Sequence, residues 1–215
     1  MAEATVLALR CPRCGEALTG AQHDVVFWCG ACGVPQEVVG SSFVERPGKL
    51  ARPVLPGTAA TLHLPVWAFR VRYESRWEDP KKEAQARLIP VIEWVYVAGF
   101  AVHNAAYFGD TGLVFTEKRV RLEPRDARER GGVVAGCTRS LEDAQAYVEP
   151  HLWTIVDRRV DITGCELRCQ ISDVTLWGIP FQDDGDAVRD RILDLKIPAA
   201  AITEIGGIRA CQDAR

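Results

Sequence analysis

Cys11-Pro12-Arg13-Cys14-Gly15 and Cys29-Gly30-Ala31-Cys32-Gly33 decide how the N-terminal part of this chain folds. Each is a Cys-x-x-Cys pair followed by glycine, and fourteen residues separate Cys14 from Cys29. Two cysteines three positions apart can aim both sulfurs at one ion if the chain turns through a tight knuckle. Glycine after the second cysteine suits that turn, because it accepts a positive φ without steric penalty. Two knuckles supply four thiolates, and a tetrahedral sulfur cage is the closed, structural arrangement that zinc favours. Cys11, Cys14, Cys29 and Cys32 are therefore the expected metal ligands. Haem attachment is excluded, since Gly15 and Gly33 stand where Cys-x-x-Cys-His needs histidine.

The flanking residues agree with this reading. Val6 to Leu9 is expected to lead into the first knuckle as a short strand, and Ala17 to Asp24, with Gly20, to form a turn. Val25-Val26-Phe27-Trp28 is expected as the strand that delivers Cys29, with a further strand around Glu37 to Val39. The order resembles a zinc ribbon with rubredoxin-type knuckles, over about the first 40 residues. The resemblance implies one structural zinc per chain. Iron in a rubredoxin-like centre is the rival, but zinc accepts four thiolates without redox chemistry. So small a module cannot bury enough apolar surface to fold alone, so metal binding would supply much of its folding free energy.

The chain of 215 residues is far longer than a ribbon needs. With 47% apolar and 26% charged residues it has the composition of a folded protein, and its net charge of -3 gives no overall bias toward nucleic acid or anionic lipid. The expected organisation is a ribbon over 1–45, a Pro/Gly-rich linker over 46–58 and an α+β unit over 59–215. The linker holds Pro47, Gly48, Pro53, Pro56 and Gly57, a density that opposes regular structure. Its Arg46, Lys49 and Arg52 have no acidic neighbour in that stretch. The N-terminus lacks the pattern of a signal peptide. Ile89 to Phe108 is long enough to span a bilayer, but Glu93, His103 and Asn104 make it a buried strand plus connection. A cytoplasmic protein is expected, with Cys137, Cys165, Cys169 and Cys211 as free thiols.

The second unit should be a mainly antiparallel sheet with one or two helices. In Val66 to Glu74, Trp67, Phe69, Val71 and Tyr73 alternate with Ala68, Arg70, Arg72 and Glu74, the period of a half-buried strand. Val91 to Ala98 reads as a central strand, Leu113 to Leu122 and Val133 to Cys137 as further strands, and Ala101 to Phe108 as helix or strand. Trp77 to Lys82 reads as a polar turn, and Arg125 to Arg130 as an exposed loop or short helical turn ended by Gly131-Gly132. Ser140 should cap a helix with Leu141, Ala144, Val148 and Leu152 on one side, bending or restarting near Pro150. Glu166 to Val174 and Leu176 to Phe181 read as two strands, Ala187 to Leu195 as a last helix, and the Gly206-Gly207 region as an irregular tail. Cys165 and Cys169, four apart on a strand, would lie about 13 Å from each other and could not share an ion.

Chemistry beyond the ribbon is sparse. His23, His63, His103 and His151 sit in no catalytic motif, and phosphate-binding glycine loops are missing. A nucleophile made of Cys137 or Cys211 with His103 or His151 is the remaining catalytic arrangement, since such partners meet only in space. The leading expectation is a non-enzymatic adaptor in which the ribbon is a separable docking module and 60–215 folds alone. Its partner would be protein, with no membrane association. The first alternative is nucleic-acid binding, weakened because Arg10 and Arg13 face five carboxylates over residues 1–45, a net charge of -3. The second is an enzyme or ligand-binding protein using the α+β unit.

Overall fold

Two long strands form the backbone of the molecule, β5 (Leu62–Trp77) and β8 (Cys165–Asp183), paired antiparallel from Leu62↔Phe181 to Trp77↔Cys165. The computed structural model describes residues 7–56, 62–87, 91–103, 110–125, 133–203 and 205–213. The other elements, in chain order, begin with the ribbon strands β1 (Val26–Trp28), β2 (Pro35–Val39) and β3 (Ser42–Glu45), then β4 (Gly48–Leu50). After β5 come α1 (Pro80–Ala86), β6 (Trp94–Ala98), α2 (Thr111–Glu117) and β7 (Val133–Val134), then α3 (Leu141–Gln145) and α4 (Val148–Asp157). Following β8 are β9 (Ala187–Asp190), β10 (Lys196–Pro198), a 3-10 turn at Ala199–Ala201 and α5 (Ile205–Asp213).

The fold is α+β: a small antiparallel sheet β1-β2-β3, and a larger sheet ordered β10-β9-β8-β5-β6, with β4 joined to β8 and β7 to β5. Alternation along β5 feeds two cores. Leu62, Leu64, Val66 and Ala68 face one side, with Phe115 of α2 and Val188, Ile197 and Ile202 of the C-terminal segment. Trp67, Phe69 and Val71 face the other, covered by Ala144, Val148, Leu152 and Val156 of α3 and α4. The first half of β5 is therefore buried on both faces, whereas beyond the register shift between Arg70 and Val71 it alternates as a two-stranded ribbon with β8.

The Ser140 helix has the expected cap. Ser140 Oγ accepts from the Asp143 N–H at 3.0 Å, and the Asp143 carboxylate takes the Ser140 N–H in return. The helix restarts as α4 at Val148, which places Pro150 in a first turn, where its missing N–H costs nothing. Cys165 and Cys169 lie on β8 and both pack against the second core. The two expected strands over 166–181 are one continuous strand, β8.

Four expectations are corrected. Thr111–Glu117 is helical, because Asp110 caps it through the Leu113 N–H at 3.0 Å and that overrides the β-branched composition. Ala187 to Leu195 is not a helix but β9 and a turn: the Asp190 carboxylate gathers the N–H groups of Ile192, Leu193 and Leu195. Ile205–Asp213 is a helix despite Gly206 and Gly207, tied down where Arg209 donates to Asp183 at 2.7 and 2.8 Å. The turn expected at Trp77 to Lys82 is the end of β5 and the start of α1. Of Val6 to Leu9 and Ala101 to Phe108, Val6 and residues 104–108 lie outside the described residues. So do residues 126–132 of the expected loop.

The stretch 46–58 also differs from a free connector. Gly48–Leu50 pairs parallel with Leu176 to Gly178 of β8. Arg46 bonds Glu37, Lys49 sits 5.6 Å from the Trp177 ring centre, and Arg52 lies 3.8 Å from Glu123. A Cβ at Gly48 would run into the rings of Pro35 and Trp28, so only glycine lets β4 leave the ribbon here. In addition, Val26 and Trp28 of β1 belong to the second core, and Val26 exchanges backbone hydrogen bonds with Cys137 at 2.8 and 3.1 Å. Packing of Val26 and Trp28 on the second core thus crosses the expected 46–58 boundary.

This packing yields a prediction. Trp28→Ala in the metal-loaded chain should destabilise the whole molecule by about 3–5 kcal/mol, the range for a buried aromatic truncated to alanine. Denaturant unfolding followed by circular dichroism should show one transition moved to lower concentration, and residues 60–215 expressed alone should be insoluble or unfolded. Two separate transitions, or a fragment that melts like the full chain, would restore the separable-module expectation.

Candidate metal centre

Four sulfurs meet between the two knuckles: the Sγ atoms of Cys11, Cys14, Cys29 and Cys32 all lie within 4.8 Å of one another. The knuckles share one hydrogen-bond pattern. The Gly15 N–H donates to Cys11 O and the Gly33 N–H to Cys29 O, each at 2.8 Å. The Cys11 N–H donates to Glu16 O and the Cys29 N–H to Val34 O, which closes each loop around its first cysteine. Gly15 and Gly33 have φ of +78° and +72°, the left-handed conformation that the spacing required.

Separations across the cluster test whether the donors fit an ion. Cys11 and Cys32 sulfurs are 3.7 Å apart, and those of Cys14 and Cys29 are 3.4 Å apart. A tetrahedron with bonds of ~2.3 Å has edges of about 3.8 Å, so the spacing suits a four-thiolate site. Backbone amides sit ready for negative sulfur: Glu16 serves Cys14, Ala31 and Cys32 serve Cys29, and Val34 serves Cys32. Burial pushes the Cys29 thiol up, but the N–H groups of Cys32 and Ala31 and the adjacent sulfurs take it down to about 7. Cys11 and Cys29 are buried while Cys14 is exposed, so the cluster sits at the edge of the small apolar core of Leu18 and Phe27.

Among the described residues the remaining candidates do not assemble. Cys137 is fully buried, its thiol is pushed up to about 12 by burial, and its Sγ donates to the carbonyls of Gly99 and Arg139. That is a structural thiol, not a nucleophile. His151 holds Tyr96 O at 3.0 Å through Nδ1 and faces Asp110 at 3.6 Å through Nε2. His103 meets Thr203 at 3.4 Å, and His63 is buried, with burial lowering it to about 4, so it is neutral. The side chain of Cys211 lies outside the described residues. No metal-ligand cluster other than the four cysteines occurs among the described residues.

Sequence reasoning missed Glu37. This carboxylate is buried on β2; its Oε2 accepts from Arg46 Nε at 2.5 Å and its Oε1 from the Leu141 N–H at 2.9 Å. A ribbon residue thus satisfies one of the orphan donors at the start of α3. Beside it runs a groove of about 1050 Å³ between β2, Arg46, the α3–α4 turn and Cys169 and Ile171 of β8. No local pattern announces it, because Glu37 and Leu141 are over a hundred positions apart.

No protein-family model matches this chain, and neither a curated protein nor a solved structure is similar to it at a significant level. Among the described residues no helix is long and apolar enough to cross a membrane.

The geometry predicts one metal ion per chain. Elemental analysis should find it bound, and Cys14→Ser or Cys29→Ser should lose it together with the near-ultraviolet dichroism of Trp28. Changing Cys165 and Cys169 together to serine should leave the metal content unchanged.

Proposed function

We propose that this chain is a non-enzymatic zinc-ribbon protein that works by binding another protein, with Cys11, Cys14, Cys29 and Cys32 holding a structural zinc. The observation that carries the reading is the four-sulfur cluster joined, through β2, to the wall of the groove beside Glu37. Four thiolates fill a tetrahedral shell and leave no position for a substrate or an activated water. Zinc is preferred to iron because the site needs charge and geometry rather than electron transfer. Metal binding would fix β1 and β2, and β2 carries Glu37, which reaches across to α3.

The groove supports a protein partner. It offers apolar surface from Val39, 45% exposed, together with Leu141 and Ile171, and its rim carries Glu142 and Glu149. Because Arg46 is engaged by Glu37, the free charge of the rim is negative. An extended segment with alternating apolar and basic residues fits that chemistry. Free thiols at Cys137, Cys165 and Cys169 suit a reducing compartment, which agrees with a cytoplasmic location.

A photo-crosslinker at Gln145, exposed on the groove wall, tests the reading. It should trap one protein, and reversing Glu142 and Glu149 to lysine should abolish the adduct while zinc content and melting stay within about 0.5 kcal/mol of the parent, as for exposed substitutions. No adduct, or one indifferent to charge reversal, sinks the docking role.

A further inference from the structure

A second recess lies away from the ribbon, where the register shift in β5 meets the loop after α2. It consists of two shallow grooves of about 540 and 400 Å³ that share Val91 and Glu93. The first is walled by Arg70 and Arg72 of β5 with Ser172 of β8, the second by Lys118, Arg119 and Arg121. Among the described residues, five cations therefore border the pair of grooves against one carboxylate, in a chain whose net charge is -3. That carboxylate, Glu93, is already held by Arg70 at 2.9 Å. Arg72, Lys118, Arg119 and Arg121 are exposed and have no acidic partner among the described residues.

Helix electrostatics accounts for only part of this. Lys118 is the C-cap of α2, where a cation favours the negative end of the helix dipole. Arg121 lies beyond the helix and Arg72 on another element, so the dipole explains neither. Arg119 is the more telling residue. Its φ is +51°, and the Arg119 and Val120 N–H groups close the helix end on Thr116 O and Phe115 O. Glycine fits that left-handed position freely, whereas arginine takes it at a steric penalty. An arginine stands where glycine would be more stable.

We propose that these joined grooves bind single-stranded nucleic acid. Four cations with no acidic partner among the described residues border two adjoining grooves and match a repeating phosphate charge, and three of them are guanidinium groups, which grip phosphate through two parallel hydrogen bonds. Between the cations the surface is not wholly polar: Val91 is 81% exposed, and the half-buried Trp94 lines the second groove. Apolar and aromatic surface between cations suits unstacked bases, whereas an acidic peptide would need only the charge.

The test uses the full-length, zinc-loaded chain and a fluorescein-labelled thymidine oligonucleotide of about twelve nucleotides, within the span of such sites. Anisotropy is read between about 50 and 200 mM salt, with a labelled poly-glutamate of equal length as comparator. Binding should fall steeply with salt. The variant Lys118→Ala, Arg119→Gly, Arg121→Ala should bind at least tenfold more weakly, and its log-log salt slope should be shallower by about 2, at ~0.7 per lost phosphate contact. Arg119→Gly alone should raise the melting temperature while weakening binding, which separates ligand contact from folding. An unchanged slope in the triple variant, equal binding of poly-glutamate, or no binding at the lowest salt overturns the proposal.

Discussion

Strand β1 has to satisfy two demands at once. Its last residue, Trp28, is followed directly by Cys29, so the position of β1 sets the position of a sulfur. Its side chains at Val26 and Trp28 are also part of the core beneath α3 and α4, and its backbone is bonded to Cys137. A strand of three residues has little stability of its own. It is held from one end by the sulfur cage and from its face by the sheet's apolar core. Metal binding and core formation are thus coupled through the same backbone, and Glu37, on the neighbouring strand, extends that coupling to the first turn of α3.

The long β5–β8 ladder supports everything else, and it changes character along its length. Up to Phe69 each face meets a separate core, and nearly every side chain is buried. Past the register shift at Arg70 the first core has ended and the strands turn exposed residues to that side. The shift matters for function because a ladder that loses one cover creates an open floor. The basic recess borders this open part of β5, and the acidic groove lies where β2 approaches α3 and α4.

Legibility from sequence followed the range of the interactions involved. The knuckles could be read because spacing and the following glycine alone dictate their geometry. The central strand could be read because Trp67, Phe69, Val71 and Tyr73 record a period of two. The Ser140 cap could be read because its partner, Asp143, is three residues away. By contrast, α2 was hidden because Val114, Phe115 and Thr116 favour strands in isolation, and the Asp110 cap is reinforced only in the fold, by docking against β6 with Thr116 Oγ1 taking the Tyr96 N–H. Strand β9 was hidden because Val188, Ile192 and Leu195 also match a helical period. The proline-rich 46–58 stretch concealed β4, since three residues between turns are enough for an edge strand once β8 offers its unpaired backbone.

Charge was the least legible property, for a related reason. Net charge and segment totals add residues that never meet, and the ribbon's own excess of carboxylates points away from phosphate. Surface potential depends instead on which residues the fold gathers. Arg72 and Arg121 are separated by β6 and α2 in sequence, yet they border adjoining grooves because the loop after α2 returns to the open end of β5. Glu142 and Glu149 likewise count for little until Glu37 occupies Arg46, the cation that lines their groove among the described residues. An acidic total is therefore compatible with two recesses of opposite sign on one small molecule.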